Sequence, residues 1–444
     1  MNLNNCRCLG RHVLRTVPIV LYTVIATGKV NGQGTLQSVT QAATRNSERI
    51  KIAESELEKA KASLSGTRDV YIPSVSLSSG LGASSGITLN VPTVFTASAQ
   101  SLVFNYSQRN YVRAARYGVE AAMHSLTDVR QQVEGDTVVT YMSLANASTR
   151  LNVLRAQHVR AFRFLEVVTE RLAAGYETEL EMMRVQKEAA AINLQEVQTE
   201  HKVESLRQHL ATLTGTVDSV MDLPDPRMMP DEIAEKVTIP ELTCKTPADV
   251  LSAQADAQSK LQTSFGDARY TLRPQISLQA QYGRISPLNS VSTYYNLHGN
   301  YNTLAVGVQI QLPILDFGRR AHAREAAADA LKAQHQVVSL RQQERESCSE
   351  LQSSLIELTV QLRLAQLEYK IAAAELAALE IQANSGAPSS LNATTPKETY
   401  RAQMQVGQKL LDTLAVDAQL KEVYIRFLRQ NGRLHDWIAA GAQF

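Results

Sequence analysis

Residues 144–178 read LANASTRLNVLRAQHVRAFRFLEVVTERLAAGYET. Within this stretch Leu144, Ala147, Leu151, Leu154, His158, Ala161, Leu165, Val168 and Leu172 follow one another at alternating spacings of three and four. That rhythm marks a helix that buries one narrow seam against a partner helix. Gly175 follows three residues after the last of them and marks the turn out of the helix.

The same seam occurs a second time. Cys348, Leu351, Leu355, Leu358, Leu362, Ala365, Tyr369, Ala372, Leu376, Leu379 and Ala383 keep the alternation and stop three residues before Gly386. Adding 211 to each position carries Leu144 onto Leu355 and Gly175 onto Gly386. A continuous helix from residue 107 to residue 173 would reach about 100 Å, a length no globular core can bury. A return helix follows each glycine, over 179–213 and over 396–435, so each copy is a coiled-coil hairpin. Small seam residues such as Ala147, Ala161, Ala365 and Ala372 let the helices approach, and a heptad seam implies a left-handed supercoil.

N-terminal to each long helix the periodicity changes from 3.5 to 2. Pro73 and Pro274 each stop a helix, and alternating segments follow. Ile276, Leu278, Ala280 and Tyr282 alternate with Ser277, Gln279 and Gln281, and Leu304, Val306, Val308, Ile310 and Leu312 with Ala305, Gly307, Gln309 and Gln311. In the first copy Val75, Leu77 and Leu81 alternate with Ser and Gly, and Phe95, Ala97 and Ala99 with Thr96, Ser98 and Gln100. One apolar and one polar face, over roughly 9 to 11 residues, suit a tilted strand across an outer membrane. Tyr71, Tyr106, Tyr270, Tyr282, Tyr294 and Tyr295 fall near the strand ends, where interfacial aromatics belong. Four strands cannot close a barrel, and open edges are not tolerated in lipid, so closure requires several copies. The alternative for the strands is a pair of amphipathic hairpins on a soluble core.

The expected organisation is a signal peptide over 1–32, a first structural repeat over 33–214, a linker over 215–246, a second repeat over 247–435 and a C-terminal tail over 436–444. Each repeat reads helix, strand, strand, long helix, turn, helix. The linker is rich in Pro and acidic residues. Arg7, Arg11 and Arg15 precede the apolar run 17–26, the order of a secretory signal, and that run is too short to span a bilayer. Of four cysteines, Cys6 and Cys8 lie ahead of the run; Cys244 and Cys348 remain, a count expected of an exported chain that does not rely on a disulfide framework.

Composition narrows the function. A net charge of +2 gives no electrostatic footprint for nucleic acid. Gly82-Ala-Ser-Ser-Gly86 matches the G-x-S-x-G pattern, but it lies between strands and precedes no helix, so it reads as a hairpin loop and not as a hydrolase nucleophile at Ser84. The histidines are dispersed and no cysteine pair has metal spacing, so no metal, cofactor or catalytic site is expected. His158, within the seam, reads as a packed polar residue. Arg341, Glu344, Arg345 and Glu346 read as solvated faces or interhelical pairs.

The strand-to-helix joint Leu312-Pro313-Ile314-Leu315-Asp316-Phe317-Gly318-Arg319-Arg320, its weaker copy Leu102-Val103-Phe104-Asn105-Tyr106-Ser107, and the hairpin tip Arg171-Leu172-Ala173-Ala174-Gly175-Tyr176-Glu177-Thr178 bring out a resemblance. On these residues the chain resembles the TolC-like outer-membrane efflux (outer membrane factor) family over nearly its whole mature length. The resemblance implies an α+β membrane protein, a homotrimer whose twelve strands form one β-barrel and whose twelve helices form a tunnel through the periplasm. It implies a non-enzymatic channel of a tripartite efflux or type I secretion system, conducting substrates passively from periplasm to exterior. The hairpin tips, with Arg171, Gly175, Thr178 and Gly386, would meet a periplasmic adaptor (membrane fusion) protein that links the channel to an inner-membrane pump. Pro313, Asp316 and Gly318 would form the joint between barrel and tunnel. The second tip, 382–395, departs from the pattern: it lacks the Arg, has a longer turn, and lacks the acidic residues that narrow the entrance, for which Glu380 and Glu398 are the nearest substitutes. The competing reading is an exported coiled-coil rod or adhesin without a channel.

Overall fold

The computed structural model describes residues 36–80, 93–215, 244–270, 273–285, 302–384 and 396–441. The expected signal peptide, most of the linker, Leu81, the Ser84 loop, Tyr294, Tyr295 and Gly386 lie outside the described residues.

In chain order the elements are α1 (Leu36–Asn46), α2 (Glu48–Asp69), β1 (Ser74–Ser79), β2 (Thr93–Asn105), α3 (Gln108–Ala173), α4 (Glu179–Thr214), α5 (Ala248–Tyr270), β3 (Gln275–Ile285), β4 (Asn302–Gln311), α6 (Phe317–Asn384), α7 (Pro396–Gln430) and α8 (Leu434–Gly441). The helices α3 and α6 contain 66 and 68 residues, with no Pro in either, and so run about 100 Å each. The expected return helix over 396–435 is corrected. Gly432, at φ +65°, breaks it after Gln430, its N–H donating to Arg429 O at 2.9 Å while Arg433 N donates to Leu428 O at 2.9 Å. The chain then turns into α8, which occupies part of the expected tail.

Both seams are where the helices meet. Leu144, Ala147, Leu151, Leu154, Ala161 and Val168 are buried on α3, and Cys348, Leu355, Leu362, Ala365 and Ala372 on α6; Ala383, at the end of its seam, is exposed. The α3 seam packs on α4 and α7, and the α6 seam on α7. The two halves share this packing, because α3 also runs along α5. Small residues repeat every seventh position along α5: Ser252 Oγ donates to Ala121 O at 2.9 Å, Ser259 Oγ to Ala114 O at 2.8 Å, and at Gly266 the Tyr111 ring occupies the space a Cβ would need. Val39, Val138, Leu144, Leu210, Ile425, Leu434 and Ile438 gather α1, α3, α4, α7 and α8 into the largest core cluster.

The two cysteines that follow the apolar N-terminal run, in a chain not expected to rely on a disulfide framework, are joined in one bond. Cys244, just before α5, is bonded to Cys348 on α6, with Cα atoms 6.5 Å apart.

Candidate functional site

Among the described residues the strands form one antiparallel sheet in the order β1-β2-β3-β4. Residues paired across antiparallel strands point to the same face, so the register assigns the faces directly. One face carries the rows Leu77–Ala97–Tyr282–Leu304, Val75–Ala99–Ala280–Val306 and Phe104–Ile276–Ile310. The opposite face carries Ser76–Ser98–Gln281–Ala305 and Ser74–Gln100–Gln279–Gly307. Ser76 and Ser98 share a hydrogen bond of 2.7 Å, and the Gln279 amide donates to Gln309. Leu304 and Val75 remain 75% and 74% exposed, an apolar surface that water would not favour. A register shift between Leu102 and Phe104 leaves Val103 as an extra residue and returns Phe104 to the apolar face.

The joint beneath β4 is built by Asp316. Its Oδ1 accepts from Arg319 N at 2.9 Å and its Oδ2 pairs with Arg319 Nε at 2.9 Å, capping the first turn of α6. Pro313 supplies no N–H where β4 ends, and at Gly318 a Cβ would sit 3.4 Å from Asp316 Oδ1. Ile314, Leu315 and Phe317 around the cap are all more than 70% exposed. The first copy substitutes Asn105, whose Oδ1 accepts from Ser107 N at 2.8 Å. Arg319 lies 4.3 Å over the Tyr270 ring and Arg273 4.5 Å over the Tyr106 ring, so cations and aromatics alternate at the base of the sheet. Below the joint, burial and the 2.5 Å hydrogen bond to Asp267 push the Tyr111 phenol far above its ordinary value.

At the other end of α3 three of the expected tip residues, Arg171, Gly175 and Thr178, are brought together; Gly386 lies outside the described residues. Gly175 has φ +79°; its N–H donates to Leu172 O at 3.0 Å, and Tyr176 N donates to Arg171 O at 2.9 Å, which closes the last carbonyls of the helix. Thr178 is the N-cap of α4, its hydroxyl accepting from Glu181 N at 3.3 Å. Arg171 Nε reaches Glu177 Oε1 at 3.2 Å.

What the sequence reading missed is the partner of this tip. Lys397 Nζ, at the start of α7, lies 3.0 Å from Glu177 Oε2 and 3.1 Å from Glu181 Oε1, and Arg401 Nη2 lies 2.6 Å from Glu181 Oε1. The Lys397 hydrogen bond is the main cause that holds both carboxyls below their ordinary value. Below it Phe164 stacks on Tyr400 at 6.1 Å. The signal was present as two four-residue steps, Glu177 to Glu181 and Lys397 to Arg401, on helices whose tips meet. Glu380 and Glu398 are exposed on α6 and α7, and His158 pairs with Glu196 at 2.5 Å between α3 and α4.

Residues 39–216 match the family model for outer membrane efflux proteins. No curated protein sequence matches the chain. The fold matches the Campylobacter jejuni CmeC outer membrane channel with a TM-score of 0.71 at 16% identity, covering 90% of this chain and 86% of that one. It matches the outer membrane protein VceC of Vibrio cholerae with a TM-score of 0.69 at 15% identity, covering 89% of this chain and 96% of that one. The open-state Neisseria gonorrhoeae MtrE outer membrane channel matches with a TM-score of 0.65 at 17% identity, over 90% of each chain. Residues 39–216 thus match the outer membrane efflux protein family, and about nine-tenths of the chain has the fold of these outer-membrane channels.

Proposed function

We propose that this chain is the outer-membrane channel of a tripartite efflux or type I secretion system. It conducts substrates passively from periplasm to exterior, while an inner-membrane pump supplies the energy. The observation that carries this reading is the sheet: one exposed apolar face, one polar face and, among the described residues, no further strand beside β1 or β4, mounted on helices of about 100 Å. Lipid rejects open edges, so β1 of one copy pairs with β4 of the next, and three copies close a twelve-strand barrel with its polar face around water. The helical hairpins then extend that lumen through the periplasm.

The tips do the coupling. In this reading Arg171, Gly175 and Thr178, with Gly386 from the second turn of the sequence, meet a periplasmic adaptor, and the exposed Tyr176, Leu180 and Met183 give it apolar contact area. The pairing of Glu177 and Glu181 with Lys397 and Arg401 holds the two hairpins of one chain together; parting them widens the periplasmic end. Pro313, Asp316 and Gly318 fix the angle at which strands become helices.

The test is single-channel conductance of purified mature protein in a planar bilayer, with its mass in detergent measured on the same sample. Discrete conductance steps from a particle of three copies support the channel. A monomer that neither inserts nor conducts overturns it in favour of an exported coiled-coil rod.

A further inference from the structure

The second half of the chain begins at a clamp. Cys348 of α6 is 4% exposed, packed with Leu355 and Leu362 of the same helix and Leu420 and Phe427 of α7, and it is bonded to Cys244. The Gln352 side-chain amide, one turn along α6, lies 3.5 Å from Cys244 Sγ and 3.7 Å from Cys348 Sγ. The next residue is held independently, since Lys245 N donates at 3.0 Å to Oδ1 of Asn431, a residue 4% exposed at the end of α7. Two consecutive residues thus fasten the start of the second half to both helices of its own hairpin. The covalent loop so closed, with a separation of 104 residues, contains all of α5, β3 and β4 and the first part of α6. The two remaining cysteines of the chain, Cys6 and Cys8, lie ahead of the apolar N-terminal run, so a chain cleaved after that run has a single pairing to make.

We propose that Cys244–Cys348 is an oxidation site used during maturation of the exported chain. It is loaded by a disulfide-carrying protein oxidant, and it sets the register in which α5 and the β3–β4 hairpin meet α6. One cysteine thiolate attacks the oxidant's disulfide and forms a mixed disulfide; the second thiolate displaces it. The oxidant leaves as a dithiol with the two electrons, and the two thiol protons pass to solvent or to the departing thiolates. The compartment matters because such bonds persist only where thiols are kept oxidised. Pairing α5 with α6 is a long-range search in sequence, and a closed loop shortens it. This inference takes from the proposed function only that the chain is exported.

The test uses full-length protein extracted from the envelope of producing cells. Free thiols are alkylated without reductant and the peptides are mapped; the expected result is a peptide pair joined through Cys244 and Cys348 that separates on reduction. Protein from cells lacking the dithiol oxidant should show both thiols alkylated. Cys244→Ser, Cys348→Ser and the double variant should each lower the temperature at which the helical signal is lost by the same several degrees, and each should lower the yield of envelope-extracted protein by the same factor. Both thiols free in protein from normal cells overturns the proposal, as does a joined pair whose removal changes neither melting nor yield. Neither readout depends on conductance, so a failed channel assay and a failed clamp are distinguishable.

Discussion

At the scale of single residues, Gly175 and Gly407 are glycines for opposite reasons. Gly175 has open space around it and needs only its left-handed backbone, so Gly175→Ala should cost about 1 kcal/mol, read as roughly fivefold faster hydrogen exchange at the Tyr176 amide. Gly407 lies on α7 where any Cβ would overlap the side chain of Gln157 on α3, which is 2% exposed and whose Nε2 finds no hydrogen-bond partner among the described residues. Gly407→Ala should therefore destabilise the chain by about 1–3 kcal/mol in denaturant unfolding, and Gln157→Ala in the same chain should restore most of the loss. The charges at the tip act through pH. Glu177 and Glu181 have folded pKa values lowered from 4.5, so the stability they add is fully present above 4.5 and is lost as pH falls below it through the lowered folded values. Spin labels at positions 183 and 405 should report a narrow distance at pH 7 that broadens only once pH has fallen well below 4.5, into the range of the lowered carboxyls, and Lys397→Met should broaden it at pH 7; a distance indifferent to both would remove the tip pairing as a closure. Gly175 and Thr178 were legible because turns and caps are local chemistry. The ion cluster was not, because its partners are 220 positions apart and only the fold says that the two tips touch.

At the scale of elements, legibility followed periodicity. The unbroken heptads located α3 to within a residue, 107–173 against Gln108–Ala173, and predicted which side chains are buried. Strand alternation located β3 and β4 and both of their faces. The bulge at Val103 escaped notice, because one extra residue in a strand changes no composition and only a partner strand reveals it. The break at Gly432 was similarly hidden within a run that otherwise reads as helix. The faces give a paired prediction. Val308→Lys, on the apolar face, should cost about 2–4 kcal/mol of membrane stability and empty the outer-membrane fraction, whereas Gln309→Lys on the polar face should leave that fraction unchanged. Equal loss in both variants would contradict the assignment of faces.

At the scale of the whole molecule, the sequence showed that one chain is incomplete, since four strands cannot enclose anything; the number of copies came only through family likeness. The outer position of β1 and β4 in the sheet has a genetic consequence. In the three-copy ring proposed above each edge would be completed by a neighbour, so a copy whose β4 edge cannot pair, such as one with prolines at Val306 and Val308, would spoil every ring it joins. Produced in equal amount with intact chains, it should leave about one ring in eight free of damage, because all three places must be filled by intact copies. Such an allele is dominant even though it abolishes function, and the number of conducting channels counted in bilayers from the mixed strain should fall far below half. A damaged copy that never inserts would halve the number of channels instead, so the size of the deficit counts the neighbours each chain depends on.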